Sequence, residues 1–202
     1  MLLAHHAIFM VEPADKARGG EARGIHGEIG FYDPIFRPAL IDYRKLTFDT
    51  VERIRIQFCP HASLQATLIA CATRVPWPAI YLEAGMGYKK DEAEQLLSGQ
   101  LTIFPIEPPQ AKLRALVVAP NSAARSTGIR IDRNMEVPTK SAISTLFHKA
   151  LDSKTALDAS ARENLQSWRH SDGLPLSSVD VHTEARRLGD RVLALIRPTP
   201  LA

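Results

Sequence analysis

Two spacings of apolar residues divide this chain. In its first two thirds they come in short runs or alternate with polar residues, the signature of strands; after Pro138 they recur every three or four positions, the signature of helices. Leu2 to Val11 is apolar on both faces until Pro13 and predicts a central strand. In Arg53 to Phe58, alternation places Ile54, Ile56 and Phe58 toward a core and Arg53, Arg55 and Gln57 outward, which predicts a half-buried strand. Ser63 to Thr73 carries Leu64, Leu68 and Cys71 at helical spacing behind a Ser63 cap, with Pro76, Trp77 and Pro78 just past its end. Ala79 to Glu83 predicts a strand, Asp91 to Ser98 a helix closed by Gly99, and Leu101 to Ile106 another strand. Lys112–Ala119 and Gly128–Asp132 predict two strands joined by a loop of small residues.

Beyond Pro138 three amphipathic helices are expected. Thr139 to Leu151 lines up Ile143, Leu146, Phe147 and Ala150; Thr155 to Arg169 lines up Leu157, Ala161, Leu165 and Trp168. Ser178 to Ile196 does the same with Val181, Ala185, Leu188, Val192 and Leu195. The expected fold is α+β: a mixed, mainly antiparallel sheet in residues 1–136, a layout that admits ferredoxin-like or RRM-like elements, followed by a helical C-terminal part in 137–202.

A chain of 202 residues can fill one core or a domain with a smaller appendage. Its balance of apolar and charged residues excludes disorder and fibrous or disulfide scaffolds. The net charge of +3 says little by itself about partners. Cys59 and Cys71 stand too far apart for a CxxC site and predict buried, reduced thiols. The first residues lack the pattern of a signal peptide, and no apolar run approaches the ~18 residues of a membrane span, so a cytoplasmic protein away from the membrane is expected.

Local clustering of charge is more telling. Between Lys112 and Asn134 stand Lys112, Arg114, Arg125, Arg130 and Arg133 against one acid, Asp132. A glycine-rich stretch, Lys16 to Gly24, adds Arg18 and Arg23 on a backbone that can approach a ligand closely. The Gly85-Met-Gly87 turn lacks both the third glycine of a dinucleotide fingerprint and the GK[ST] of a phosphate loop, so no nucleotide cofactor is expected. The seven histidines form no HxxxH or HExxH pair, so no metal site is expected, and no GxSxG elbow supports acyl transfer. A metal-independent endoribonuclease needs less, a histidine near the ribose hydroxyl and cations on the phosphate, and His26 beside Arg23 is its candidate. Tyr32, Tyr43, Trp77 and Tyr88 are candidate stacking residues, although no RNP1 octamer is present.

Three stretches, Pro108–Val118, Ala124–Arg133 and Glu21–Gly30, resemble the ferredoxin-like subunits of CRISPR effector complexes, including the crRNA-processing subunit of type IV systems. Such proteins hold or cut the repeat-derived handle of guide RNA. The resemblance implies that Arg23 and the Arg125–Arg133 segment bind an RNA backbone. The expected function is therefore a subunit of a larger assembly that grips RNA or single-stranded DNA beside other protein subunits. The alternatives are a non-catalytic adaptor or inhibitor that docks on an acidic protein surface, and the ribonuclease.

Overall fold

The computed structural model describes residues 31, 33–43, 45–89, 91–94, 109–149, 158–170 and 172–199. The chain divides into two compact units, Met1–Tyr32 and Asp33–Ala202, and every element below belongs to the second. The expected strands Leu2–Val11 and Leu101–Ile106, together with Arg18, Arg23 and His26, lie outside the described residues.

Three helices come first: α1 (Asp33–Asp42), α2 (Phe48–Phe58) and α3 (Leu64–Arg74). Helix α2 replaces the strand expected at Arg53–Phe58. Thr47 caps it, its side chain accepting from the Thr50 amide, and Phe48, Val51 and Ile54 at three-residue spacing are its buried stripe. Ile56, expected inside by alternation, is 64% exposed. The six-residue window was too short to tell the two periods apart. Helix α3 starts behind its Ser63 cap as expected, its final N–H···O bond running from Val75 to Cys71.

Strands β1 (Ile80–Gly87), β2 (Lys112–Pro120), β3 (Asp158–Asn164), β4 (Asp180–Leu188) and β5 (Arg191–Pro198) form one antiparallel open sheet in the order β2-β1-β5-β4-β3. The fold class is therefore α+β, as expected. The helical C-terminal part is not. The sheet takes strands from both sides of residue 136, and the helices expected at Thr155–Arg169 and Ser178–Ile196 are β3 with a 3-10 turn (Leu165–Ser167) and the β4–β5 hairpin. Val181, Thr183 and Ala185 alternate as buried positions on β4, whereas β5 is buried on both faces from Val192 to Ile196, with Val192, Ala194 and Ile196 on the face they share with Thr183 and Ala185. Gly189 takes the left-handed conformation, φ 61°, that the tight turn between them requires. Of the three helices expected beyond Pro138 one survives, shortened to α5 (Ala142–His148) behind its Ser141 cap.

Each face of the sheet is covered. On one, Ile80, Leu82, Val181, Val192, Ala194 and Ile196 pack with Ile143 and Leu146 of α5, with Trp168, and with Ile129, Ile131, Met135 and Val137 of the loop after α4 (Ser122–Ser126). On the other lie α2 and α3. The Phe48 amide at the start of α2 donates to Glu184 Oε1 at 2.9 Å, and Arg197 donates to the Leu46 carbonyl. The strand expected at Gly128–Asp132 is a loop without ladder bonds, since its apolar Ile129 and Ile131 are buried in the core while α4 turns the chain away from β2.

Candidate nucleic-acid interface

The loop that follows α4 returns to the outer edge of β2. Ala115 N donates to Met135 O at 2.9 Å, Asn134 N to Ala115 O at 2.7 Å, and Val137 N to Leu113 O at 2.9 Å, so the lower half of the edge strand is closed by backbone bonds. Asn134 reaches this geometry with φ 67°, in the left-handed region that Asn tolerates. One node holds the other end. The Asn121 side chain accepts from Ala124 N at 2.8 Å and Ala79 N at 3.3 Å and donates to Val75 O at 3.0 Å and Trp77 O at 2.7 Å.

The five cations of the Lys112–Asn134 stretch divide into three kinds. Lys112 pairs with Glu136 at 3.0 Å and Arg130 with Asp132 at 2.8 Å, and that carboxylate raises the Arg130 pKa. Arg114 is not on the exposed face: at 1% exposure it lies inside, where Nε donates to Gly87 O at 3.3 Å and Nη1 to Asn134 O at 3.0 Å. Its Nη2 is buried without a hydrogen bond, 3.6 Å from Glu92 Oε2. Arg125 and Arg133 are exposed and make no ion pair with another described residue.

Four cavities follow from these positions. The first, about 660 Å³, lies against Val118 and Pro120 and is walled by Arg125, Arg130 and Arg133. A second, about 530 Å³, shares Asp132 and Arg133 with it and adds Arg114, Lys89, Arg169 and His170. Its walls also carry Asp91 and Glu136, so charge there is mixed. Arg169 leads into a third cavity, about 450 Å³, with Lys140 and Arg162. The fourth, about 490 Å³, shares Arg162 and contains Lys45, Trp77, His182 and Arg197. Neighbouring cavities share a wall residue, Arg133 between the first and second, Arg169 between the second and third, and Arg162, at the sheet edge, between the third and fourth.

Local structure sets these side chains. Arg169 stands beside the buried Trp168 on a segment bridged to Pro175, and the turn closes with His170 N donating to Leu174 O at 2.8 Å. Arg162 occupies an exposed position of the edge strand β3, next to Glu163. Glu163 turns inward, accepting from Ala142 N at 2.6 Å and Thr183 Oγ1 at 3.1 Å, and burial pushes its carboxyl above the usual range. Burial, followed by the nearby Arg197 guanidinium, pushes His182 below the usual histidine value.

Of the residues expected from sequence, Arg114, Arg125, Arg130 and Arg133 line the first two cavities, and Lys112 lines none of the four. Trp77, a candidate stacking residue, lines the fourth. Lys140, Arg162, Arg169 and His182 fall among ordinary polar positions of the expected helices, and Arg197 falls just past the last of them, so nothing in the sequence marks them. Reading Ala159 to Glu163 with a period of two would have put Arg162 on an outer face. Among the described residues no group of three His, Cys, Asp or Glu could hold a metal, and no helix is long and apolar enough to cross a membrane. No protein-family model and no curated protein matches this sequence, so the chemistry of the trough is read from its own geometry.

Proposed function

We propose that the protein is a cytoplasmic subunit of a larger assembly and holds the sugar-phosphate backbone of RNA or single-stranded DNA along this trough. The observation that carries the reading is the run of exposed cations, Arg125, Arg133, Arg169, Lys140 and Arg162, in cavities that share wall residues, none with an ion pair to a described residue. Guanidinium groups left without carboxylates suit phosphate oxygens, which they can meet with two parallel N–H···O bonds. Scattered arginines on loops and a strand edge suit contacts to phosphate, so affinity with little sequence preference is expected.

Fluorescence anisotropy of labelled single-stranded RNA and DNA across a potassium chloride series tests this. Each neutralised phosphate contributes about −0.7 to the slope of log K against log salt. The double variant Arg125→Ala, Arg133→Ala should therefore bind more weakly and flatten the slope by roughly 1.4. Failure to bind, or binding with no salt dependence, refutes the reading. Capture of an acidic protein partner in place of nucleic acid would leave the adaptor function. Membership of a CRISPR effector is the narrower form of the proposal and would show as guide RNA co-purifying with the protein.

A further inference from the structure

The fourth cavity differs from the rest of the trough in having an aromatic wall and a polar floor. Arg162, His182 and Arg197 are register partners across β3, β4 and β5, Arg162 opposite His182 and His182 opposite Arg197. Directly opposed residues project from the same face of a sheet, about 5 Å apart, and like charges so placed repel. The charge of the row comes from Arg162 and Arg197, which flank His182. Glu184 Oε2 lies 3.8 Å from Arg197, whose other amino group is held by the Leu46 carbonyl. Arg197 is thus a fixed part of the floor, while Arg162 and the exposed Lys45 make no ion pair with a described residue. Trp77, Pro78, Leu46 and Pro198 supply flat, apolar walls. Thr199 also lines the cavity, and its Oγ1 is buried with no hydrogen-bond partner among the described residues. The Trp77 backbone is pinned by the Asn121 node, which fixes the indole's anchor.

We propose that this cavity takes a single nucleotide, its base lying on the Trp77 indole and its phosphate between Arg162 and Lys45. Base stacking on an aromatic ring and a charged clamp on the phosphate divide the recognition, while the half-buried His182 imidazole is left to meet polar atoms of the base or sugar. A volume of about 490 Å³ falls in the range of small-ligand sites. The ligand chemistry is common to a free mononucleotide and to one residue of a bound strand. In the second form the inference rests on the function proposed above, because Arg162 joins this cavity to the trough.

Tryptophan emission of the full chain tests it. The protein has two tryptophans, and Trp168 is 1% exposed in the core, so a ligand in the cavity reports through Trp77. Adenosine and uridine monophosphates, the corresponding nucleosides and a short single-stranded oligonucleotide are titrated in turn. The expected result is saturable quenching by the monophosphates or the oligonucleotide. Nucleosides should bind at least about tenfold more weakly, and Arg162→Ala should weaken the phosphorylated ligand by about the same factor. Trp77→Phe should abolish the quenching while calorimetry still records binding, since phenylalanine keeps a stacking face. Absence of saturable quenching by any probe, while anisotropy shows the oligonucleotide bound, overturns the cavity and leaves the trough. Quenching that Arg162→Ala leaves unchanged overturns it as well. Mononucleotide quenching with no oligonucleotide binding supports the cavity and refutes the strand-binding function.

Discussion

Replacing Asn121 by alanine should be among the most damaging single changes in the described fold. The side chain is 3% exposed and makes four hydrogen bonds that join three segments: the end of α3, the approach to β1 and the start of α4. Alanine leaves the Ala79 and Ala124 amides without acceptors and the Val75 and Trp77 carbonyls without a donor. A buried orphan amide costs about 1–3 kcal/mol, and the carbonyls less, because each keeps a second lone pair and the Trp77 carbonyl is only part-buried. The two amides set a loss of about 3–4 kcal/mol, against a total stability of about 5–15 kcal/mol. For a chain of this size that lowers the melting temperature by roughly 10 °C. Asn121→Asp keeps the acceptor but turns an oxygen toward two carbonyls, so it should lose a similar amount. Urea melts followed by far-ultraviolet circular dichroism measure both. A loss below about 1 kcal/mol for alanine would refute the argument, since water would then be replacing the node at no cost.

Three further outcomes are expected. Glu163 has a raised carboxyl pKa in the fold, so the folded state holds its proton more tightly than the unfolded chain; this group favours folding most below its unfolded pKa and loses that advantage as pH rises through the higher folded value. Glu163→Gln, which keeps the contacts to Ala142 and Thr183, should gain stability relative to the parent as pH rises above the ordinary carboxylate range, and a constant difference in urea melts across pH would contradict it. Gly189→Ala meets no atom within 4 Å, so its cost is the left-handed backbone alone, about 1 kcal/mol in thermal melts; no loss would show that the turn can change conformation freely. Burial pushes the Cys71 thiol up to about 12 and raises that of Cys59, so neither should react with Ellman's reagent at neutral pH until the fold opens, and rapid labelling of the native protein would contradict their burial.

Short-range signals made part of this fold legible. Ser63 and the proline cluster bracket α3, and the apolar runs at Ala79–Glu83 and Lys112–Ala119 are β1 and β2, because caps and strand patterning act over a few residues. The C-terminal half misleads for a physical reason. Val181 and Ala185 lie four apart, which fits a helical face, but four is also a multiple of two, and the strand carries Thr183 between them. The discriminating signs were the β-branched Val181, Thr183, Val192 and Ile196 and the Gly189-Asp190 pair in mid-segment. Arg114 could not be placed from pattern, because its burial comes from the backbone of Asn134 and Gly87 closing over it. The cationic trough was half legible: Arg125, Arg130 and Arg133 are near one another in sequence, whereas Arg162, Arg169 and Trp77 join them only through the sheet.

The strand order has a consequence for how this protein is made. Strand β5, the last of the described strands to leave the ribosome, sits at the middle of the sheet, with Ile196 opposite Ile80. Translation at about 5–20 residues per second leaves β1 waiting several seconds or more for that partner. Until then β1 and β2 are a pair with one open flank, and β3 and β4 have nothing to join them to it. A nascent chain stalled before Arg191 should be a client for chaperones, with its amides unprotected from hydrogen exchange. Release of the last strand should then close the whole sheet in one cooperative step.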